Sequence, residues 1–184
     1  MKFAFNIEKA IAATGFLIEI SEGKIDVFQL LKTLYLADRT AIAMLGAPIV
    51  GDDYVSLPKG PVLSTTYDCL KGNARVEFQK PWSTNFTDRV GHAIRTKKPV
   101  STERLSQWEK KALKKALKTI SSVPKGNLSA WSHKVFPEWK DRGTSSSPID
   151  LVEMLRAQNK TDQEILVIQD EAESAYCLSQ LLTG

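Results

Sequence analysis

Apolar positions recur at helical intervals over most of the chain. Phe5, Ile7, Ala10, Ile11, Phe16, Leu17 and Ile20 share overlapping faces and predict a helix over 6–21, weakened a little by Gly15. After Glu22-Gly23-Lys24, Asp26 is placed to cap a second helix, in which Val27, Leu30, Leu31, Leu34 and Tyr35 keep the i, i+3, i+4, i+7, i+8 spacing and Gly46 is the stop. Phe28, Leu36, Ala37 and Ile42 widen its apolar face, so this helix is expected to be central to the core. Pro48-Ile49-Val50 and Tyr54-Val55 flank Gly51-Asp52-Asp53 and read as two very short strands around a turn. Pro58-Lys59-Gly60-Pro61 then breaks the chain, with Pro61 suited to the first turn of a short helix, Val62 to Leu70, that stops at Gly72.

Residues 74–100 show stretches of alternation among Val76, Phe78, Trp82, Phe86, Val90 and Ile94, and predict a hairpin or irregular β arm. The helical signal returns from Ser101 or Thr102, with Leu105, Trp108, Ala112, Leu113, Ala116, Leu117 and Ile120 on one face and Lys110, Lys111, Lys114, Lys115 and Lys118 on the other. A short helix over Leu128 to Val135 and a mobile loop over Arg142 to Pro148 follow. Two more helices are expected, from Pro148 to about Asn159 and from Thr161 to Leu182, the second with Asp162 and Glu164 in its acidic first turn. The fold class is therefore mainly α: a single helical domain with a small antiparallel β hairpin element.

Bulk properties narrow this picture. A chain of 184 residues, 42% hydrophobic, fills one sizeable core and is short for two domains, so residues 1–184 are taken as one. No run of about 18 apolar residues occurs, and Glu8 and Lys9 interrupt the place of a signal peptide's apolar stretch, so no membrane partner is expected. Cys69 and Cys177 lie far apart without a metal or redox motif, which fits reduced thiols and a cytoplasmic location. The net charge of +4 is unevenly placed: residues 95–125 hold ten basic side chains against Glu103 and Glu109, and residues 150–184 hold seven acidic against Arg156 and Lys160. The chain has one basic element and one acidic tail.

Candidate chemistry is sparse. His92 and His133 are the only histidines, and no Ser-centred elbow, phosphate-cradling glycine loop, metalloprotease helix or Cys/His metal spacing is present. Asp52-Asp53 opens like a metal-binding loop but lacks the further oxygen ligands. Neither catalysis nor a cofactor or metal is expected. Lys32, Asp38 and Arg39 interrupt an otherwise apolar helix, and Tyr35 and Tyr54 carry hydroxyls that need partners when buried. Two uses are open to them, a polar network pinning helix to hairpin or direct contact with a partner. His133 is expected to pack near Trp139, and Gly51, Gly60 and Pro61 to serve turn geometry.

Three stretches in order, Leu31-Lys32-Thr33-Leu34-Tyr35-Leu36-Ala37-Asp38-Arg39, then Gly46-Ala47-Pro48-Ile49-Val50-Gly51-Asp52-Asp53-Tyr54-Val55, then Lys59-Gly60-Pro61-Val62-Leu63-Ser64 with Tyr67-Asp68, resemble the core signature of the Panacea domain of SocA-like antitoxins. Leu128-Ser129, His133 and Pro137-Glu138-Trp139 are similar to the C-terminal positions of that family, so the resemblance covers about residues 5–140. It implies a mainly helical bacterial or phage protein whose partner is a toxin, neutralised by direct binding or, in an alternative mode, delivered to a protease. Residues 149–184 match no motif and stand as a C-terminal helical extension. Ile165, Ile168, Ala172, Tyr176 and Leu182 follow one face of its last helix, with Val167, Leu178 and Leu181 off it. Ile165, Ile168 and Tyr176, together with the five lysines, are taken as a candidate partner surface. The lysine stripe also allows a nucleic-acid-binding regulator, with weak, salt-sensitive and sequence-nonspecific association. Oligomeric state is not legible from these patterns.

Overall fold

The computed structural model of the chain describes residues 1–141 and 143–183, without the side chains of 179, 180, 182 and 183. Arg142, expected to open a loop, and the side chain of Leu182, expected on the last apolar stripe, lie outside the described part. Among the described residues there are eight α-helices and five short strands, mainly α with minor β.

Helix α1 (Ile7–Glu19) starts at Asn6, whose side chain accepts from the Lys9 amide at 3.0 Å. Gly15 has a packing reason: a Cβ there would stand 2.6 Å from the Val100 side chain. Strand β1 (Ile25–Asp26) leads into α2 (Val27–Leu45), where Asp26 accepts from the Phe28 and Gln29 amides and Gly46 closes the last turn, as its cap and stop signals predict. Leu30, Leu34, Tyr35, Ala37, Ala41 and Ile42 are at most 1% exposed, so α2 is the axis of the core.

The expected strand at Pro48–Val50 does not form. The Ile49 and Val50 amides donate to the Asp38 carboxylate, and the Val50 carbonyl accepts from Asn6, so a side chain and the N-terminal segment occupy the groups a ladder would use. The hairpin instead lies later, as β2 (Tyr54–Leu57) and β3 (Gly60–Leu63) with Pro58-Lys59 as its two-residue loop. Pro61 therefore sits in an edge strand, paired with Ser56, and not in a helix. Helix α3 starts two residues later than expected, at Ser64, and runs to Lys71 with Gly72 as its stop.

The arm over 74–100 is a correction. Its first half is helix α4 (Val76–Asn85), because Phe78, Trp82 and Phe86 follow a four-residue spacing; the Trp82 and Phe86 rings lie 4.6 Å apart, tilted at 51°, and Phe78 meets Phe5 at 4.9 Å. Val76, read as part of an alternation, is exposed. Only 86–96 is β-like: β4 (Ala93–Ile94) pairs with β1, beside single bridges Phe86–Thr96 and Val90–Ala93.

Helix α5 (Gln107–Ser121) is capped by Ser106 and not by Ser101 or Thr102, because only Ser106 has an acid three residues on; Ser106 and Glu109 form a reciprocal capping box. Its apolar face packs along α2. A 3-10 turn (Lys125–Asn127) precedes α6 (Leu128–Val135). The expected mobile loop ends in β5 (Ser147–Pro148), which pairs with Ser56 and Val55 and completes a sheet of order β3-β2-β5. Helix α7 (Leu151–Arg156) begins after Pro148, capped by Asp150, and α8 (Asp162–Thr183) closes the chain. No helix among the described residues is long and apolar enough to cross a membrane.

Candidate functional site: a buried polar knot beneath the hairpin

Helix α2 carries Lys32, Tyr35, Asp38 and Arg39 into the interior, at 0%, 0%, 0% and 9% exposure. Each finds a partner outside the helix. The Asp38 carboxylate accepts from the Ile49 and Val50 amides at 2.9 and 3.0 Å and from the Tyr54 hydroxyl at 2.9 Å, which ties α2 to the loop and to the first hairpin strand. Burial pushes this carboxyl up to about 7, although its three donors favour the charged form.

The Tyr35 hydroxyl donates to Glu138 at 2.8 Å, and Arg39 Nε donates to the same oxygen at 2.7 Å. Arg39 also reaches the second Glu138 oxygen at 3.2 Å, making a buried two-pronged pair. Burial, then the Glu138 charge, holds the Tyr35 phenol well above its ordinary range. Trp139, next in sequence, donates from Nε1 to the Leu57 carbonyl at 2.9 Å, and its indole stacks on His133 at 3.6 Å with the rings 6° from parallel. Burial, then the nearby Lys32, lowers the His133 pKa. The C-terminal motif thus clamps the end of the hairpin onto α2.

Asp52 caps α3 from a distance. Its oxygens accept from the Thr65 and Thr66 amides and the Thr66 hydroxyl, all at 2.8 Å, on a helix start that has no side-chain cap of its own. Gly51 beside it has φ +76°, and a Cβ there would stand 2.5 Å from the Ala4 carbonyl oxygen, so the close passage of the N-terminal segment requires glycine.

Lys32 Nζ donates to the Pro61 carbonyl at 2.7 Å and lies 5.1 Å from the centre of the Phe28 ring. The second pair out from a two-residue turn, here Ser56–Pro61, points its backbone groups away from the partner strand, which suits a proline and leaves its carbonyl for the Lys32 amino group. Gly60, at φ +99°, is required twice, since a Cβ would also overlap Ser132 Oγ and stand 2.8 Å from Lys32 Nζ.

Burial lowers Lys32 to about 7, from an ordinary 10.5. Between those values the unfolded chain holds a proton that the native state does not, so the contribution of Lys32 is complete above 10.5 and lost as pH falls to about 7. Lys32 is therefore expected to make stability rise with pH between about 7 and 8.5, by up to about 1 kcal/mol per pH unit, before the raised Cys69 thiol opposes it above 9. Lys32→Met should flatten that slope in urea titrations across the same range; an unchanged slope would show that Lys32 is not its source.

Other expected site residues stand apart from the knot. Tyr67 is half-buried on α3 with Lys71 4.9 Å from its ring. Lys111, Lys114, Lys115 and Lys118 are exposed and Lys110 half-buried, and none of the five makes an ion pair among the described residues. Ile165 and Ile168, expected at a partner surface, are 3% and 7% exposed and pack into the core; Tyr176 is half-buried. Among the described side chains, the large apolar ones that α8 exposes are Leu166, Val167, Leu178 and Leu181. Sequence reasoning missed Glu138 and Ser132 as site residues, although an acid between Pro137 and Trp139 was a visible signal. No group of three or more His, Cys, Asp or Glu placed to hold a metal occurs among the described residues.

No curated protein and no solved structure matches the chain. A family profile described as "Antitoxin SocA-like, Panacea domain" matches residues 30–140, from the first turn of α2 through the knot to just past Trp139. The match spans more than half of the 184 residues and contains every group of the knot, so the chain belongs to the SocA-like antitoxin family of Panacea domains.

Proposed function

We propose that the chain is a cytoplasmic antitoxin that holds a toxin protein inactive by stoichiometric contact, without catalysis, cofactor or metal. The observation that supports this reading, beside the family membership, is that the buried charged residues of the matched segment are satisfied within the chain. Asp38, Asp52, Arg39 and Glu138 each meet donors or acceptors of their own fold. Such residues hold a surface in shape; the surface does the work.

Two helix faces are among the surfaces available for occlusion. One is the exposed apolar set on α8, Leu166, Val167, Leu178 and Leu181, beside the acidic Asp170 and Glu173. The other is the lysine face of α5, whose unpaired charge also favours, as a second reading, a weak sequence-nonspecific polyanion contact.

Co-expression of the adjacent reading frame with and without this chain, scoring growth and then co-purification, tests the proposal. Rescue of growth with a stable complex is the expected result. Toxicity without rescue would overturn it, and loss of the toxin polypeptide only when this chain is present would replace occlusion with delivery to a protease.

A further inference from the structure

We propose that a groove at the N-terminal end of α2 is the docking site for an acidic segment of the partner protein, one that presents an apolar side chain among carboxylates. This rests on the toxin-binding reading above and names the surface and the chemistry it selects.

The groove has a volume of about 620 Å³ and lies between the first turn of α2, the hairpin loop, α3, the 86–96 arm and the start of α6. Its floor is apolar: Leu31 is 2% exposed, while Phe28 and Tyr67 are half-buried and turn ring surface toward the cavity. Its rim is cationic. Lys59 and Arg89 are exposed and make no ion pair among the described residues. Lys125 stands 3.9 Å from Asp26 with 79% of its side chain exposed, a pair too open to hold the charge. One Asp26 oxygen already caps α2, so the rim keeps excess positive charge.

An apolar centre inside a polar rim is the anatomy of a protein-binding surface, and the sign of this rim selects carboxylates. A nucleic acid would need cations in a row, which α5 provides; here they surround an apolar pit with a carboxylate in its wall. The matched segment supports the same surface independently. Lys32, Asp38 and Glu138 are consumed in the knot, but Lys59, Tyr67 and Ser129 belong to the same motifs and have side chains without a hydrogen bond among the described residues. All three line the groove. The knot holds its far wall in place, since Lys32 fixes Pro61, two residues past Lys59, and packs against Phe28.

The full chain should bind a fluorescein-labelled peptide of alternating Glu-Asp and Leu-Phe pairs saturably in an anisotropy titration. Binding should weaken by about tenfold or more in the double variant Lys59→Glu/Arg89→Glu, or when the acids of the peptide are replaced by glutamine, and should change less than about twofold in Lys114→Glu/Lys115→Glu. Neither pair of positions touches the core, and an unchanged circular dichroism melt verifies this. Absence of saturable binding, equal loss from the α5 variant, or displacement of the peptide by a single-stranded oligonucleotide would overturn the assignment. So would dimerisation that competes with the peptide, which would give the groove to the acidic tail of a second copy. With the toxin itself, capture by the wild type and equal capture by Lys59→Glu/Arg89→Glu would remove the groove and leave the antitoxin reading intact. A wild type that captures no toxin would remove that reading, while the peptide titration still decides the groove.

Discussion

Replacement of Glu138 by alanine should destabilise the fold by about 3–5 kcal/mol, read as a shift of the urea midpoint at unchanged slope. Glu138 is 2% exposed, and its loss would leave the Arg39 guanidinium buried and the Tyr35 hydroxyl without its acceptor. The penalty comes from the stranded charge more than from the lost contact. Glutamine should therefore rescue little: its oxygen can still accept from Tyr35 and Arg39 Nε, but it supplies no charge and sets an amide N–H against the second guanidinium nitrogen. Arg39→Met in the Glu138→Gln background should recover much of the stability, because it removes the unpaired cation and keeps apolar volume against Phe136, whose ring centre lies 5.6 Å from the guanidinium. A cost below about 1 kcal/mol for Glu138→Ala would mean that water reaches the pair and that the knot does not hold α2 to the C-terminal motif.

Helices α1, α2 and α8 were legible in the sequence because their apolar periods are long, and the boundaries of α2 also carry local chemistry in Asp26 and Gly46. The hairpin was misplaced for a physical reason. Pro61 lacks an amide hydrogen, and the first turn of a helix and an outward-facing position of an edge strand are equally content without one. What separates the two is the Lys32 amino group, which arrives from α2 to take the Pro61 carbonyl, a tertiary fact that no local window contains. The α4 error has a similar origin, since Phe78, Trp82 and Phe86 fit a helix while Val76 and Phe78 also fit an alternation, and packing on Phe5 decides. Strand β5 has two residues and exists only because β2 lies beside it.

The site divides in the same way. Charged groups inside an apolar helix announced that α2 needed polar partners, but Glu138 lies 99 residues beyond Arg39. The groove was not legible at all, because its floor and rim come from five separate segments whose meeting depends on the fold. The α5 lysine stripe was legible in full, since a helix face is a local property.

Asp38→Ala is expected to cost about 3–5 kcal/mol, comparable with Glu138→Ala, but for a different cause that the isosteric substitution exposes. Alanine leaves two buried amides and the Tyr54 hydroxyl without an acceptor, and with them the anchors of the loop that Asn6 and the hairpin share. Among the described residues no cation faces Asp38, however, and burial raises its carboxyl to about 7, so the site does not need the charge. Asparagine at 38 keeps an oxygen for the Ile49 and Val50 amides and turns an amide toward the Tyr54 oxygen. It should cost no more than about 1 kcal/mol near pH 7. The sign of the pH dependence follows. A carboxyl raised from 3.8 to about 7 contributes stability that is complete below 3.8 and lost as pH rises to about 7, and Asp52, also raised by burial, adds in the same direction. Urea titrations from pH 4 to 7 should show Asp38→Asn with a shallower fall than the wild type. If asparagine proves as damaging as alanine, the carboxylate is needed in its charged form, and the three donors outweigh the desolvation that sets them in the core.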